Sequence, residues 1–205
     1  ALIYDNPISV DKETKSDLLL INSKDNSYHT FVSFDKDSIE TSLSLIDFKG
    51  LVVNSKIKKE VFYKAETLSN ECNSVYRFSN KYIYKTKEYD FINYNDTLIN
   101  DTLYYHYAIK SNKILSYIKR KKIVEYHYIV SKESPNFLPF LTDSTPYEEW
   151  KSEKNIPNGL LKMMYHLNSD RKVVFKFELK ALTKIDKKLI IPKDCNYTKL
   201  IIFPK

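Results

Sequence analysis

At 205 residues with 42% hydrophobic content, the chain fits one domain, residues 1–205, with a real core and no composition break to divide it. Two glycines against 17 Tyr and 11 Phe exclude collagen-like and Gly-rich disordered classes and favour pleated, half-buried strands. The formal charge of +7 would suit nucleic acid or an anionic surface, but the basic residues are interleaved with 26 acidic ones. The densest run, Lys119-Arg120-Lys121-Lys122, reads as a solvated turn, so nucleic acid is not expected as a partner. The same charge is compatible with association with a membrane surface.

Residues 18–34 read as a hairpin: Leu18-Leu19-Leu20-Ile21, a polar break, then a strand with Tyr28, Thr30, Val32 and Phe34 on one face. Asp37-Ser38-Ile39-Glu40 has the spacing of a helix start and Gly50 of its stop, giving a short helix or an ordered loop. Strand-like runs follow at 56–65, 75–79, 82–87 and 89–94. Three more, at 103–109, 113–118 and 121–130, are joined by short polar breaks and read as a meander. In the last, Val124, Tyr126, Tyr128 and Val130 share an apolar face, while Glu125 and His127 point the other way.

Between 131 and 159, Pro135, Pro139, Pro146 and Pro157 forbid a continuous ladder. Thr145 offers an N-cap, Pro146 an N1 and Glu148 an N3, which predicts a short helix over Tyr147 to Lys154. Leu160 to Leu167 and Lys172 to Leu182 form a hairpin about Asn168-Ser169-Asp170. Its alternation puts Val173, Phe175, Phe177 and Leu179 in the core and Lys176 and Glu178 towards solvent. Leu189-Ile190-Ile191-Pro192 and a last strand at 198–203 close the chain. The sum is an all-β protein of ten to twelve antiparallel strands with one or two short helices.

Several residues could carry chemistry. His29, His106, His127 and His166 lie far apart with none of the close spacings of metal motifs, so surface or satisfied histidines are expected, and no metal site. No Gly-rich phosphate loop, His-Glu-x-x-His or Gly-x-Ser-x-Gly occurs, and Glu148-Glu149 diverge on a helix. No catalytic residues and no cofactor are expected. Phe137, Phe140, Tyr147, Trp150, Met163 and Met164, with Tyr126 and Tyr128, could line an apolar pocket or simply pack as core. Cys72 and Cys195 could bridge in an oxidising compartment or stay as free thiols.

The run Asn112 to Lys122, the strand Val124 to Ser131, Ile156-Pro157-Asn158-Gly159-Leu160-Leu161-Lys162, the strand at 173–183 and Leu189-Ile190-Ile191-Pro192-Lys193-Asp194 together resemble the GLPGLI family and its LolA-like relatives. These are exported Bacteroidetes families of uncharacterised function. Leu18 to Tyr28 is similar to their opening, so the likeness runs through most of the chain in order. The resemblance implies a strongly curved antiparallel sheet, an open half-barrel with a concave apolar face. It implies a periplasmic or cell-surface location after loss of a signal peptide, and no reaction. The expected function is a non-enzymatic envelope domain binding a lipid or acyl chain, with 131–159 as lid. The alternative is a module that docks an envelope protein through a sheet edge or a basic face.

Overall fold

The computed structural model describes residues 2–5, 16–77 and 85–192, with backbone alone at 2–5, 16 and 17. In chain order the elements are β1 (Leu2–Asp5), β2 (Ser16–Asn22), β3 (Asp25–Phe34), β4 (Glu40–Asp47), β5 (Leu51–Lys58), α1 (Lys59–Lys64), β6 (Thr67–Ser69) and β7 (Val75–Arg77). They continue with β8 (Tyr89–Ile99), β9 (Thr102–Ser111), α2 (Leu115–Lys121), β10 (Glu125–Ser131), α3 (Ser144–Glu153), β11 (Leu161–Leu167), β12 (Val173–Leu182) and β13 (Lys188–Ile190).

Eleven strands form one sheet in the order β7-β5-β4-β3-β2-β1-β12-β11-β10-β9-β8, every neighbouring pair antiparallel. β1 is the seam. It pairs with β2 on one side and β12 on the other, so one run of strands grows outward from it to β7 and the other returns from β8 to meet it. β6 and β13 make a separate two-stranded parallel pair.

Strand alternation gives the sheet two covered faces. On the first, Leu19, Tyr107, Ile109, Tyr128, Val130, Met164 and Phe177 pack with Phe140, Leu141, Tyr147 and Ile156 from the 132–160 segment. On the second, Val32 and Leu43 are covered by Phe62 of α1 and Leu68 of β6, and Leu45, Val53 and Val75 continue that layer. A fully buried Leu or Phe of this kind contributes about 1.5–3 kcal/mol.

Several expectations are corrected. Residues 37–50 do not hold a helix: Thr41, Leu43 and Leu45 are buried in β4 with Ser42 exposed between, a period of two, and Gly50 serves the β4–β5 turn at φ 110°. The strand expected at 56–65 divides into the end of β5 and α1. The middle run of the expected meander, 113–118, leads into α2, whose left-handed C-cap Lys122 donates its backbone N–H to the Ile118 and Lys119 carbonyls to close the helix. β9 and β10 therefore pair directly, with α2 as their connection. α3 begins three residues earlier than expected, with Asp143 and not Thr145 at the N-cap, so Pro146 and Glu148 fall inside the helix. Val173 is 46% exposed because a register shift between His166 and Leu167 takes it out of the core row. Phe177 is buried, and Phe175 and Leu179 pack partly buried against the same core. Among the described residues three α-helices replace the one or two expected; the strand expected at 198–203 lies outside the described residues, as does the first half of that at 82–87, whose second half is a 3-10 turn at Lys85–Glu88 and not a strand.

Candidate functional site

β4 and β5 stand near one end of the strand order, and β8, β9 and β10 at the other. Side chains from both groups nevertheless line a single cleft of about 460 Å³ on the first face. Ile46, Phe48 and Val52 supply one wall, and Tyr89, Ile109, Tyr126 and Tyr128 the other, while Thr142, Asp143 and the first residues of α3, Ser144 to Pro146, close one side. Six of its fourteen lining residues are polar: Ser44 and Asn54, hydrogen-bonded at 2.9 Å, with Thr142, Asp143, Ser144 and Thr145.

The direction of the hydrogen bonds at this turn follows from donor capacity. Thr142 Oγ1 donates to Asp143 Oδ2 at 2.9 Å, so the Tyr128 hydroxyl, 3.2 Å from Thr142 Oγ1, is the donor in that pair. Asp143 holds the N-cap position of α3 in an extended conformation, yet its side chain caps no helix amide. The carboxyl is open to the cleft but hemmed in by protein, and burial pushes it above the usual carboxylate range against the pull of the Thr142 hydrogen bond. Burial, then the charge of Asp143, likewise raises the phenols of Tyr126 and Tyr128.

Tyr126 and Tyr128 are the two sequence-derived candidates that line this cleft. Tyr147 is buried just behind it, its ring 5.1 Å from that of Phe48. Trp150 instead lines a second, wider cavity of about 800 Å³ with Tyr94, Tyr105 and Asn155, and Lys154 Nζ lies 3.4 Å from its ring centroid. Phe140 and Met164 are core residues, Phe137 offers its carbonyl to the Gly159 amide at 2.9 Å, and Met163 points to the opposite face from Met164. The eight do not form one pocket. Sequence reasoning missed Ile46, Phe48, Val52, Tyr89, Ile109 and Asp143. The alternation of Ser44 and Ile46 with Leu43 and Leu45 was the available signal for the β4 wall.

The histidines divide into two kinds. His29 and His166 sit among core aromatics, and burial lowers both to about 4. His106 and His127, 21 positions apart, meet on the second face, with His106 Nε2 2.9 Å from His127 Nδ1. His127 Nε2 is 2.9 Å from Glu125 Oε1, whose other oxygen accepts from Arg171 at 2.7 Å. A carboxylate can only accept, so His127 carries its proton on Nε2 and presents a bare Nδ1 to the Nε2–H of His106. Tyr94 and Tyr165 stack on either side of the His127 ring at 5.9 and 4.7 Å. Burial lowers both histidines, more than Glu125 raises His127, which keeps the chain in its neutral register and ties β9, β10 and β11 together. Among the described residues no group of three or more His, Cys, Asp or Glu side chains could hold a metal ion.

The sequence matches no protein-family model and no curated protein. No described helix is long and apolar enough to cross a membrane.

Proposed function

We propose that this chain is a non-enzymatic envelope domain that binds an apolar ligand, a lipid or acyl chain, in the cleft of a curved sheet. The observation that carries this reading is that strands from opposite ends of the strand order line one cleft. A flat sheet of eleven strands would be ~48 Å wide at the usual strand spacing. The connection from Arg77 to Tyr89 reaches at most about 40 Å if fully extended, and it contains a tight helical turn at 85–88 that shortens it further. A short tether between the two edge strands and a shared cleft both support a half-barrel, with the cleft on its concave side.

The volume and lining suit such a ligand, since small-molecule sites are mostly apolar clefts of about 300–1,000 Å³ with a few polar groups. The resemblance to LolA-like families points the same way. Cys72 is disulfide-bonded. Disulfides persist mainly in oxidising compartments, which supports a location in the periplasm or at the cell surface.

The test is native mass spectrometry and calorimetric titration with a panel of dodecyl amphiphiles, on the wild type and on Ile46→Trp, which fills the cleft from its β4 wall. Binding to the wild type that is lost in a stably folded Ile46→Trp is the expected result. A panel that leaves both proteins unliganded refutes the reading. A second reading, docking of a partner strand, is favoured by β8, an 11-residue edge strand whose hairpin with β9 presents Leu98 and Leu103 at 62% and 51% exposure.

A further inference from the structure

We infer that the cleft selects an amphiphile with a positively charged head, an ammonium or quaternary ammonium group, held by the Asp143 carboxylate and the aromatic wall of Tyr89 and Tyr126. This deepens the apolar-ligand reading and rests on it.

Four observations converge. First, among the described residues no Lys or Arg lines this cleft. An anionic head such as a carboxylate or phosphate would find no counter-ion there and would meet the like charge of Asp143. Second, Asp143 forms no ion pair among the described residues, and the hydrogen bond from Thr142 occupies one of its oxygens. Its side chain makes no capping hydrogen bond to α3 and so is not committed to that helix. The amino end of α3 favours negative charge nearby, and Asp143 already supplies it.

Third, Tyr89 and Tyr126 line the same space, partly buried, and the π-face of an aromatic ring attracts a cation with roughly 0.5–2 kcal/mol, more as water is excluded; Tyr128 behind them is fully buried, its ring stacked on that of Tyr107 at 4.6 Å. Tyr126 and Tyr128 are close enough to Asp143 for its charge to raise both phenols, so the carboxylate and the rings act on one region. Fourth, Asp143 is exposed where it lines the cleft, so a charged group entering from solvent can reach it. The apolar wall of Ile46, Phe48 and Val52 lies opposite and would take the chain of the ligand.

The experiment compares dodecyltrimethylammonium, dodecanoate, dodecyl maltoside and tetramethylammonium, each below its micellar concentration, by calorimetry on the intact protein. Dodecyltrimethylammonium is expected to bind about ten-fold or more tightly than either the anionic or the neutral amphiphile. Asp143→Asn should remove roughly that factor for the ammonium and leave dodecyl maltoside unchanged. If Asp143→Asn does not fold, the head-group ranking on the wild type decides alone. Equal affinity for all three dodecyl ligands, or preference for dodecanoate, overturns the inference and leaves the apolar-ligand reading standing. Tetramethylammonium binding as tightly as its dodecyl analogue overturns the acyl-chain reading and keeps the cationic head. Binding of none of the four overturns both.

Discussion

His29 offers the sharpest check on the packing of the first face. It lies on β3 with 2% exposure, boxed by the rings of Phe31, Phe140 and Phe48 at 5.1, 5.2 and 5.6 Å, and its Nε2 has no hydrogen-bond partner among the described residues. Burial lowers its pKa from 6.5 to about 4. Above the unfolded value both folded and unfolded chains hold it neutral, and it adds nothing to the pH dependence. As pH falls from 6.5 towards 4, the unfolded chain takes up a proton that the native state refuses, so stability declines through that window. The slope for one such group approaches ~1.4 kcal/mol per pH unit, and the total by the lower end is about 3 kcal/mol. Below that the native state protonates too and the loss levels off.

The perturbation is His29→Leu, which removes the titrating group and the orphaned nitrogen from an apolar box. Urea unfolding is followed at several pH values from about 7.5 down to about 4.5. His106, His127 and His166 are also lowered and contribute the same background to both proteins, so the difference between the curves isolates His29. The two proteins are expected to differ little near neutrality, within about 1 kcal/mol after the lost aromatic contacts. The variant should then gain on the wild type by roughly one proton's slope as the medium is acidified. Parallel curves across the whole range would refute the burial of a neutral His29.

Three further outcomes are expected. Gly159 sits at φ +148° with a Cβ position 2.2 Å from the Ser131 carbonyl oxygen and 2.6 Å from Val130 Cγ1, so Gly159→Ala should cost at least about 2 kcal/mol in a thermal melt; a loss under about 0.5 kcal/mol contradicts the close approach. Phe177→Ala should cost about 3–5 kcal/mol in denaturant unfolding, while Val173→Ala on the same strand, 46% exposed, should stay under about 1 kcal/mol; equal losses would restore the simple alternation. Cys72→Ser should lose roughly 2–4 kcal/mol relative to the oxidised protein, and reductant should bring the wild type to the same level; insensitivity to reductant would exclude the bridge.

The β11–β12 hairpin was legible because two signals agree: strict alternation in the strand and an Asn168 side chain that accepts the Asp170 and Lys172 amides at 3.0 and 2.9 Å to shape the turn. Where one local signal stood alone it misled. The Asp37 to Glu40 spacing fits a helix start, but the residues after it alternate apolar with serine, and pairing of β4 with β3 and β5 on both sides decides the matter. In 113–118, Leu115 and Ile118 are equally at home on a short strand or one helical turn, and what makes α2 is the need to connect two strands that pair with each other. The cleft was legible only on its β10 wall, where Tyr126 and Tyr128 alternate. Its other wall comes from strands far away in the sheet order, and no short stretch of sequence encodes that meeting. The same holds for His106 and His127, which become neighbours only through the β9–β10 register.

How a ligand would reach the cleft follows from what holds the 132–160 segment. It is bound to the sheet by Leu138 N to Ser23 O at 2.9 Å, Asn26 Nδ2 to Pro139 O at 3.1 Å and Ser131 N to Leu160 O at 2.9 Å, and internally by Leu160 N to Ser134 Oγ at 2.8 Å. It also gives Phe140, Leu141, Tyr147 and Ile156 to the largest core cluster. Lifting the segment as a lid would expose those four side chains at about 1.5–3 kcal/mol each, roughly 6–12 kcal/mol together, which rivals the whole stability of a typical domain at about 5–15 kcal/mol. The segment is therefore part of the fold and not a gate. Entry must use the open side of the cleft, where Asn54 and Asp143 are exposed, with at most a local shift of the Thr142–Asp143 turn and its two side-chain hydrogen bonds. The same opening leaves a charged head beside Asp143 while the chain of the ligand passes inward along Ile46, Phe48 and Val52, so the path that binding requires and the orientation that the charge favours coincide.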